Sequence, residues 1–390
     1  MPDIKGLEPL SLYLHIPFCR HRCAYCDFNT YTSLSDLKDA YVDALCREMA
    51  QVAGTAQRPA QTVFLGGGTP SLLSPGQLER ILIQVAGCFA LEPGAEITLE
   101  ANPDTVDLNY LNSLRGLGFN RISFGAQSAD PAELAMLERE HDFETVVRAA
   151  EMSRAAGLTN FNLDLIYGLP GQSATSWRAT LDAALTLAPP HLSLYCLIVE
   201  PGTPMQRWLA NGLLPEPDPD VAAEQYDLAC DLLAACGYQH YELSNWCLPS
   251  HAGRHNLAYW RNGEYLGFGA GAHGHAAGRR YSVVRQPRRY IGRLEAAGAA
   301  EYPLSSAVAD AYLLTGAQAM ADTVITQLRL LEEGLDLAAF ADRFGRSLRQ
   351  VYPSTVERLI DIGLLEERAG RLRLTRRAWF LSNQVFVEFV

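Results

Sequence analysis

The chain has 390 residues, 48% apolar and 19% charged, which is more than one ordinary core needs and predicts a large globular domain with appendages. Its formal charge of −12 opposes broad nucleic-acid binding, because the field of the whole molecule repels phosphate. No apolar run approaches bilayer length, the first residues do not read as a secretory leader, and nine cysteines in so long a chain are not a disulfide scaffold; a reducing, cytoplasmic address is expected.

Six short β-rich runs alternate with longer helical stretches over the first half: LSLYLHI (10–16), TVFLGG (62–67), EITLEA (96–101), RISFGA (121–126), FNLDLIYG (161–168) and LSLYCLIV (192–199). They are nearly continuous in apolar character, as parallel strands buried on both faces are. Between the first strands, Leu37, Tyr41, Leu45, Glu48 and Val52 recur at helical spacing, and so do Leu78, Ile81, Leu82 and Val85 after a Ser74-Pro75 start. The alternation predicts an α/β fold, either a parallel barrel or an open doubly wound sheet. Six units cannot close an eight-stranded barrel and fit a partial (β/α)6 one. Five prolines between 201 and 219 mark a boundary, followed by a helix over 221–236 and a Gly- and His-rich stretch to about His275. Helical runs over 307–329, 336–344 and 347–362 then lead to LLEERAGRLRLT, a hairpin around Ala369-Gly370, giving a winged-helix-like module. The expected division is a core over 1–200, an extension of that core over 201–306 and a C-terminal domain over 307–390.

Cys19, Cys23 and Cys26 form a C-x3-C-x2-C run directly after the first predicted strand, where parallel α/β architectures place their active sites. Thiolates this close wrap one soft-metal site, either an iron–sulfur cluster or zinc completed by a distant ligand; three buried structural cysteines are the plain alternative. Arg20, His21 and Arg22 between them favour the thiolate form. Gly66-Gly67-Gly68-Thr69-Pro70 follows the second strand, either as a tight turn or as backbone that approaches a ligand closely. Glu100, Gln127 and Asp164 lie at or near the ends of later strands and Arg139 just beyond the fourth. Taken singly each reads as a solvated polar residue; their shared placement is what marks them.

HIPFCRHRCAYCDF, LGGGTPSLL (65–73), LEANPD (99–104), RISFGAQS (121–128) and NLDLIYGLPGQ (162–172) together resemble the radical S-adenosylmethionine (SAM) superfamily. Within it the chain is most similar to the branch of oxygen-independent coproporphyrinogen III oxidase and the HemW haem chaperones. The resemblance spans nearly the whole chain. It implies a [4Fe-4S] cluster on Cys19, Cys23 and Cys26 with one iron left open for SAM. It also implies that Gly67, Gly68 and Thr69 face the methionine end of SAM, while Glu100, Gln127, Arg139 and Asp164 meet its amino, carboxylate and ribose groups. Tyr13 and Tyr25 match binding positions too. The chemistry implied is reductive cleavage of the sulfonium to a 5′-deoxyadenosyl radical.

Two departures count against the oxidases. Phe28 stands where they carry a further cysteine, and only 18 residues precede Cys19 where they carry a sizeable extension. His255-Asn256-Leu257-Ala258-Tyr259-Trp260 matches the HNxxYW pattern of the chaperones, followed by GFGAGAHG (267–274) as there. The resemblance therefore implies haem as a ligand, with His255 as a candidate axial ligand and Tyr259 and Trp260 against the macrocycle. A buried His–aromatic cluster is the plain alternative. A zinc site from His251, His255, His273, His275 and Cys247 lacks the paired spacing of common sites. Arg279, Arg280, Arg285, Arg288 and Arg289 suit a solvated loop or haem propionates. Arg368, Arg371, Arg373, Arg376 and Arg377 invite a minor DNA-binding reading, but no nucleic-acid partner is expected. The implied partners are haem and apo-haemoprotein recipients; respiratory recipients would bring peripheral membrane contact.

Overall fold

The computed structural model describes residues 9–53, 58–296, 298 and 300–390. Six parallel strands follow one another in space in chain order: β1 (Leu10–Ile16), β2 (Pro59–Gly67), β3 (Ala90–Ala101), β4 (Arg121–Gln127), β5 (Phe161–Tyr167) and β6 (His191–Cys196). All six coincide with the predicted runs, β2 and β3 beginning earlier than expected. Helices Lys38–Ala53, Pro75–Cys88, Leu108–Leu117, Phe143–Ala155 and Ala174–Thr186 connect them. The second starts as its sequence dictates: Ser74 caps it in a capping box with Gln77, and Leu78, Ile81, Leu82 and Val85 are buried. This is the partial (β/α)6 barrel.

The strands are not apolar on both faces. Phe161, Leu163 and Leu165 of β5 join the main hydrophobic core, whereas Asn162 and Asp164 alternate with them. The same period of two places Glu96 and Glu100 on β3, Arg121 and Ser123 on β4, and Ser193 and Tyr195 on β6, all lining the barrel interior. The barrel thus has an apolar outer layer under the helices and a polar lumen.

Two short strands, β7 (Gln239–Glu242) and β8 (Asn245–Cys247), extend the sheet antiparallel beyond β6. On the other side β9 (Tyr265–Phe268) pairs parallel with β1, and β10 (His273–Ala276), β11 (Arg279–Val283) and β12 (Val308–Leu313) follow antiparallel. The expected helix over 307–329 is corrected here. Residues 308–313 form the edge strand, so the large sheet runs past 306, and the helix begins at Gly316 behind a Thr315–Gln318 capping box. Val308, Ala311 and Tyr312 have helical spacing, but pairing with β11 decides the outcome.

The C-terminal part has its own core, including Val324, Phe340, Leu348, Leu359 and Leu372, and a small sheet of β13 (Leu335–Asp336), β14 (Leu365–Arg368) and β15 (Arg371–Leu374). The predicted hairpin turns on Ala369 and Gly370, both at positive φ (52° and 74°) as a tight two-residue turn requires. Arg371 and Arg376 are engaged with Asp336 and Asp231. Arg329 anchors this domain to the core: it pairs with the fully buried Glu242 at 3.2 Å and lies 4.1 Å over the Trp260 ring. Among the described residues no helix is long and apolar enough to cross a membrane.

Candidate functional site

The loop after β1 is held from several sides. Cys19 N–H donates to Tyr31 O, Tyr31 N–H to Pro17 O, Ala24 N–H to Leu137 O and Cys26 N–H to Cys23 O, all within 2.7–3.2 Å. The glycine loop after β2 packs against it. Gly68 N–H donates to Ile16 O at 2.9 Å and Thr69 N–H to Phe18 O at 2.8 Å, while Gly67 N–H donates to Glu100 Oε2 at 2.9 Å. A Cβ on Gly68 would lie 2.7 Å from Phe18 O, and one on Gly67 would enter the His15 ring, with φ at +114° besides. Glycine is required here by close approach. These amides are already engaged, so they are not free to meet a ligand.

A cavity of about 480 Å³ opens at this end of the barrel. Its wall brings together Cys19, Cys23, Cys26, Tyr25, Gly67, Gly68, Thr69, Glu100, Gln127, Arg139 and Asp164. Burial, together with the neighbouring thiols, pushes Cys19 up to about 11, and burial also raises Cys26, so these two thiols favour the thiolate form only with a positive partner. The Thr69 hydroxyl donates to Cys19 Sγ at 3.5 Å and Arg139 to Cys23 Sγ at 3.4 Å. Arg139 is fixed by bonds to Asn102 Oδ1 and Gly125 O, both 2.8 Å, yet its Nε is a buried donor with no partner. A donor directed at sulfur and a spare donor beside it fit an anionic cluster and its ligand. Among the described residues no three His, Cys, Asp or Glu side chains gather as a site for a single metal ion.

Glu100 is pushed up to about 7, first by burial and then by Asp164, against the pull of the Gly67 amide. Burial also raises Asp164, held by Ser123, Asn162 and Ser193. Gln127 has φ at 67°, at a bulge where β4 slips against β5, which turns its side chain into the cavity. Tyr195, Asn102, Ser123 and Cys196 also line the cavity and were not singled out from sequence. Asn102 directly follows the third strand run, so its strand-end position was an available signal, whereas Tyr195 and Cys196 end β6 but lie inside the longer run read from sequence.

Tyr13 lies elsewhere. It is half-buried, donates to His15 Nδ1 at 3.0 Å and lines a second, smaller cavity of about 210 Å³ deeper in the lumen. That chamber shares Glu100, Ser123, Asp164 and Tyr195 with the first and is closed by Gly253, His255, Asn256 and Tyr259. The helix Arg254–Trp260 is therefore a plug at the opposite end of the barrel. Glu96 accepts from the Arg254 and His255 amides, the expected place for a carboxylate. His255 is 2% exposed, stacks on Phe64, and has both ring nitrogens engaged, Nδ1 with the Thr62 hydroxyl at 2.7 Å and Nε2 with the Tyr259 hydroxyl at 2.8 Å. Burial pushes it down to about 3, so the ring is neutral. From Thr62 to Gly66 is four strand residues, roughly 13 Å. His255 and Tyr259 thus come together below the cysteine cavity, and Trp260 faces Arg329.

A partial barrel with three cysteines on the loop after its first strand and strand-end polar groups around them is the architecture of the radical SAM class. Residues 13–184 match the radical SAM superfamily and residues 314–381 the HemN C-terminal domain. The solved structure of coproporphyrinogen III oxidase (HemN) from Escherichia coli superposes with a TM-score of 0.85 at 25% identity, covering 99% of this chain and 91% of that one. Among curated relatives, the heme chaperone HemW of Mycobacterium tuberculosis is 39% identical over 97% of this chain and 94% of its own length. That of Bacillus subtilis is 36% identical over 97% and 99%. The chain belongs to the HemW family.

Proposed function

We propose that the chain is a cytoplasmic haem chaperone that binds haem and passes it to apo-haemoproteins. In this reading Cys19, Cys23 and Cys26 hold a [4Fe-4S] cluster and the cavity beside them holds SAM. The observation that carries the cofactor reading is the convergence of the three thiols, Arg139 with its unpartnered Nε, and the Glu100–Asp164 pair on one cavity. Each group has a distinct task. Glu100 and the carbonyls of Gly67 and Gly68 accept from the ammonium of SAM, Arg139 meets its carboxylate, and Asp164 accepts from its ribose; Gln127 and Tyr25 line the remaining wall. When bound, the cluster supplies the electron for sulfonium cleavage.

The haem reading rests on the family and on His255, Tyr259 and Trp260. With both His255 nitrogens engaged, the imidazole becomes an iron ligand only when the Thr62 or Tyr259 bond gives way and the plug helix swings out. Haem capture is then a two-step process, opening followed by ligation. Recipients in the respiratory chain would bring the protein to the membrane surface.

The test is anaerobic cluster reconstitution followed by parallel haem titration and tetrapyrrole turnover assays on wild type and His255→Ala. Stoichiometric haem binding in wild type, weakened in His255→Ala, is the expected result; no haem binding in wild type sinks the proposal. The likeness to the oxidase fold favours one competing reading, a radical enzyme acting on a porphyrin or haem. That reading requires 5′-deoxyadenosine to appear in a substrate-dependent manner.

A further inference from the structure

A run of buried hydrogen bonds connects Asp164 to the plug helix. The Asn162 amide donates to Asp164 Oδ1 at 2.8 Å and to Ser123 Oγ at 2.7 Å, and Ser123 donates to Asp164 Oδ2 at 2.9 Å. A carboxylate only accepts, so the NH2 end of Asn162 faces it and the carbonyl end faces away. That carbonyl meets His191 Nδ1 at 2.7 Å and the Ser193 hydroxyl at 3.2 Å, which places the His191 proton on Nδ1. Burial holds the ring neutral, so Nε2 is an acceptor and accepts a hydrogen bond from the Tyr241 hydroxyl at 2.8 Å. The Tyr241 oxygen in turn accepts the Gly253 N–H at 3.3 Å, and Gly253 is the N-cap of the helix Arg254–Trp260. Every donor in this sequence points towards Asp164. His191, Asn162 and Tyr241 are 0%, 2% and 8% exposed, so water does not compete for these bonds.

We infer that His191 and Tyr241 are positioning residues for Asp164, and that this hydrogen-bond chain couples occupancy of the SAM cavity to closure of the His255 helix. The inference rests on the cofactor reading above, and its coupling half also on the haem reading. When the helix swings out, Tyr241 loses its donor, His191 loses a fixed hydroxyl, and Asn162 no longer holds Asp164 in one rotamer. SAM therefore binds the closed form better, and by linkage bound SAM lowers haem affinity by the same factor.

The test uses the reconstituted full chain. SAM affinity is measured by equilibrium dialysis for wild type, Tyr241→Phe, His191→Leu and His191→Asn, the last of which keeps an N–H where Nδ1 stood. Tyr241→Phe and His191→Leu should bind SAM on the order of tenfold more weakly at unchanged iron content, whereas His191→Asn, which keeps the bond to Asn162 but not the one to Tyr241, should recover part of the His191→Leu loss. A merely structural role would give no such rescue. Wild-type binding with unchanged affinity in Tyr241→Phe, or no recovery in His191→Asn, overturns the positioning role while leaving the proposed function intact. Absence of SAM binding in wild type overturns both. In a second arm, haem is titrated with and without SAM. The coupling predicts a SAM-dependent fall in haem affinity in wild type that is lost in Tyr241→Phe, and an equal or absent fall in both proteins overturns it.

Discussion

Replacing Glu100 by glutamine separates what this carboxylate costs the fold from what it gives the cofactor. In the cofactor-free protein Glu100 is raised from 4.5 to about 7 by burial and by Asp164, with only the Gly67 amide favouring its charged form. The folded state therefore holds a proton that the unfolded chain releases, and this group's contribution to stability falls as pH rises from about 4.5 and levels off above about 7. The full penalty is at most about 3 kcal/mol, an upper bound because the carboxylate opens onto the cavity. Glu100→Gln removes it. Urea denaturation of the cofactor-free proteins near pH 5 and near pH 8.5 should show the variant gaining about 2 kcal/mol relative to wild type between the two conditions. SAM binding should move the other way. Wild-type affinity should increase as pH rises through about 7, where Glu100 becomes an acceptor for the ammonium, and the variant should bind weakly at every pH. A stability difference that does not change with pH, or a variant that binds SAM as wild type does, would refute the reasoning.

Three further outcomes follow from named contacts. Gly68→Ala drives a Cβ to 2.7 Å from Phe18 O and 2.9 Å from Ile16 O, and should cost roughly 1–3 kcal/mol in thermal unfolding and lower iron uptake on reconstitution. Cys19→Ala, Cys23→Ala or Cys26→Ala should each abolish the iron–sulfur absorbance while leaving the circular dichroism spectrum unchanged, because the loop is held by backbone bonds. Arg329→Met removes the cation from the fully buried Glu242 and from the Trp260 ring, and should destabilise the protein by roughly 3 kcal/mol, with faster hydrogen exchange in the plug helix.

The cysteine cavity was legible because its parts sit at strand ends in chain order, so finding the strands was enough to bring Cys19, Gly67, Glu100, Gln127 and Asp164 to one place. The polar lumen was hidden inside runs such as NLDLIY, where Asn162 and Asp164 alternate with leucines that face the helices. Composition makes such a run look like a strand buried on both faces, and only the curvature of the sheet gives its inner face a lumen. His191 lies 50 residues before Tyr241, and no local pattern announces that they touch. Edge strand β12 was hidden because Val308, Ala311 and Tyr312 have helical spacing, and only pairing with β11 makes the segment a strand.

The backbone ties around the cysteine loop also bear on what loss of the proposed cluster would do to the fold. In small zinc domains the metal supplies the folding energy, and stripping it unfolds the site. Here Cys19, Ala24, Cys26, Gly68 and Thr69 are fixed by main-chain hydrogen bonds that need no metal. Oxidative loss of the proposed cluster would empty the receptacle without dismantling it. On the proposed cofactor reading, reloading would then refill a standing socket without refolding the chain.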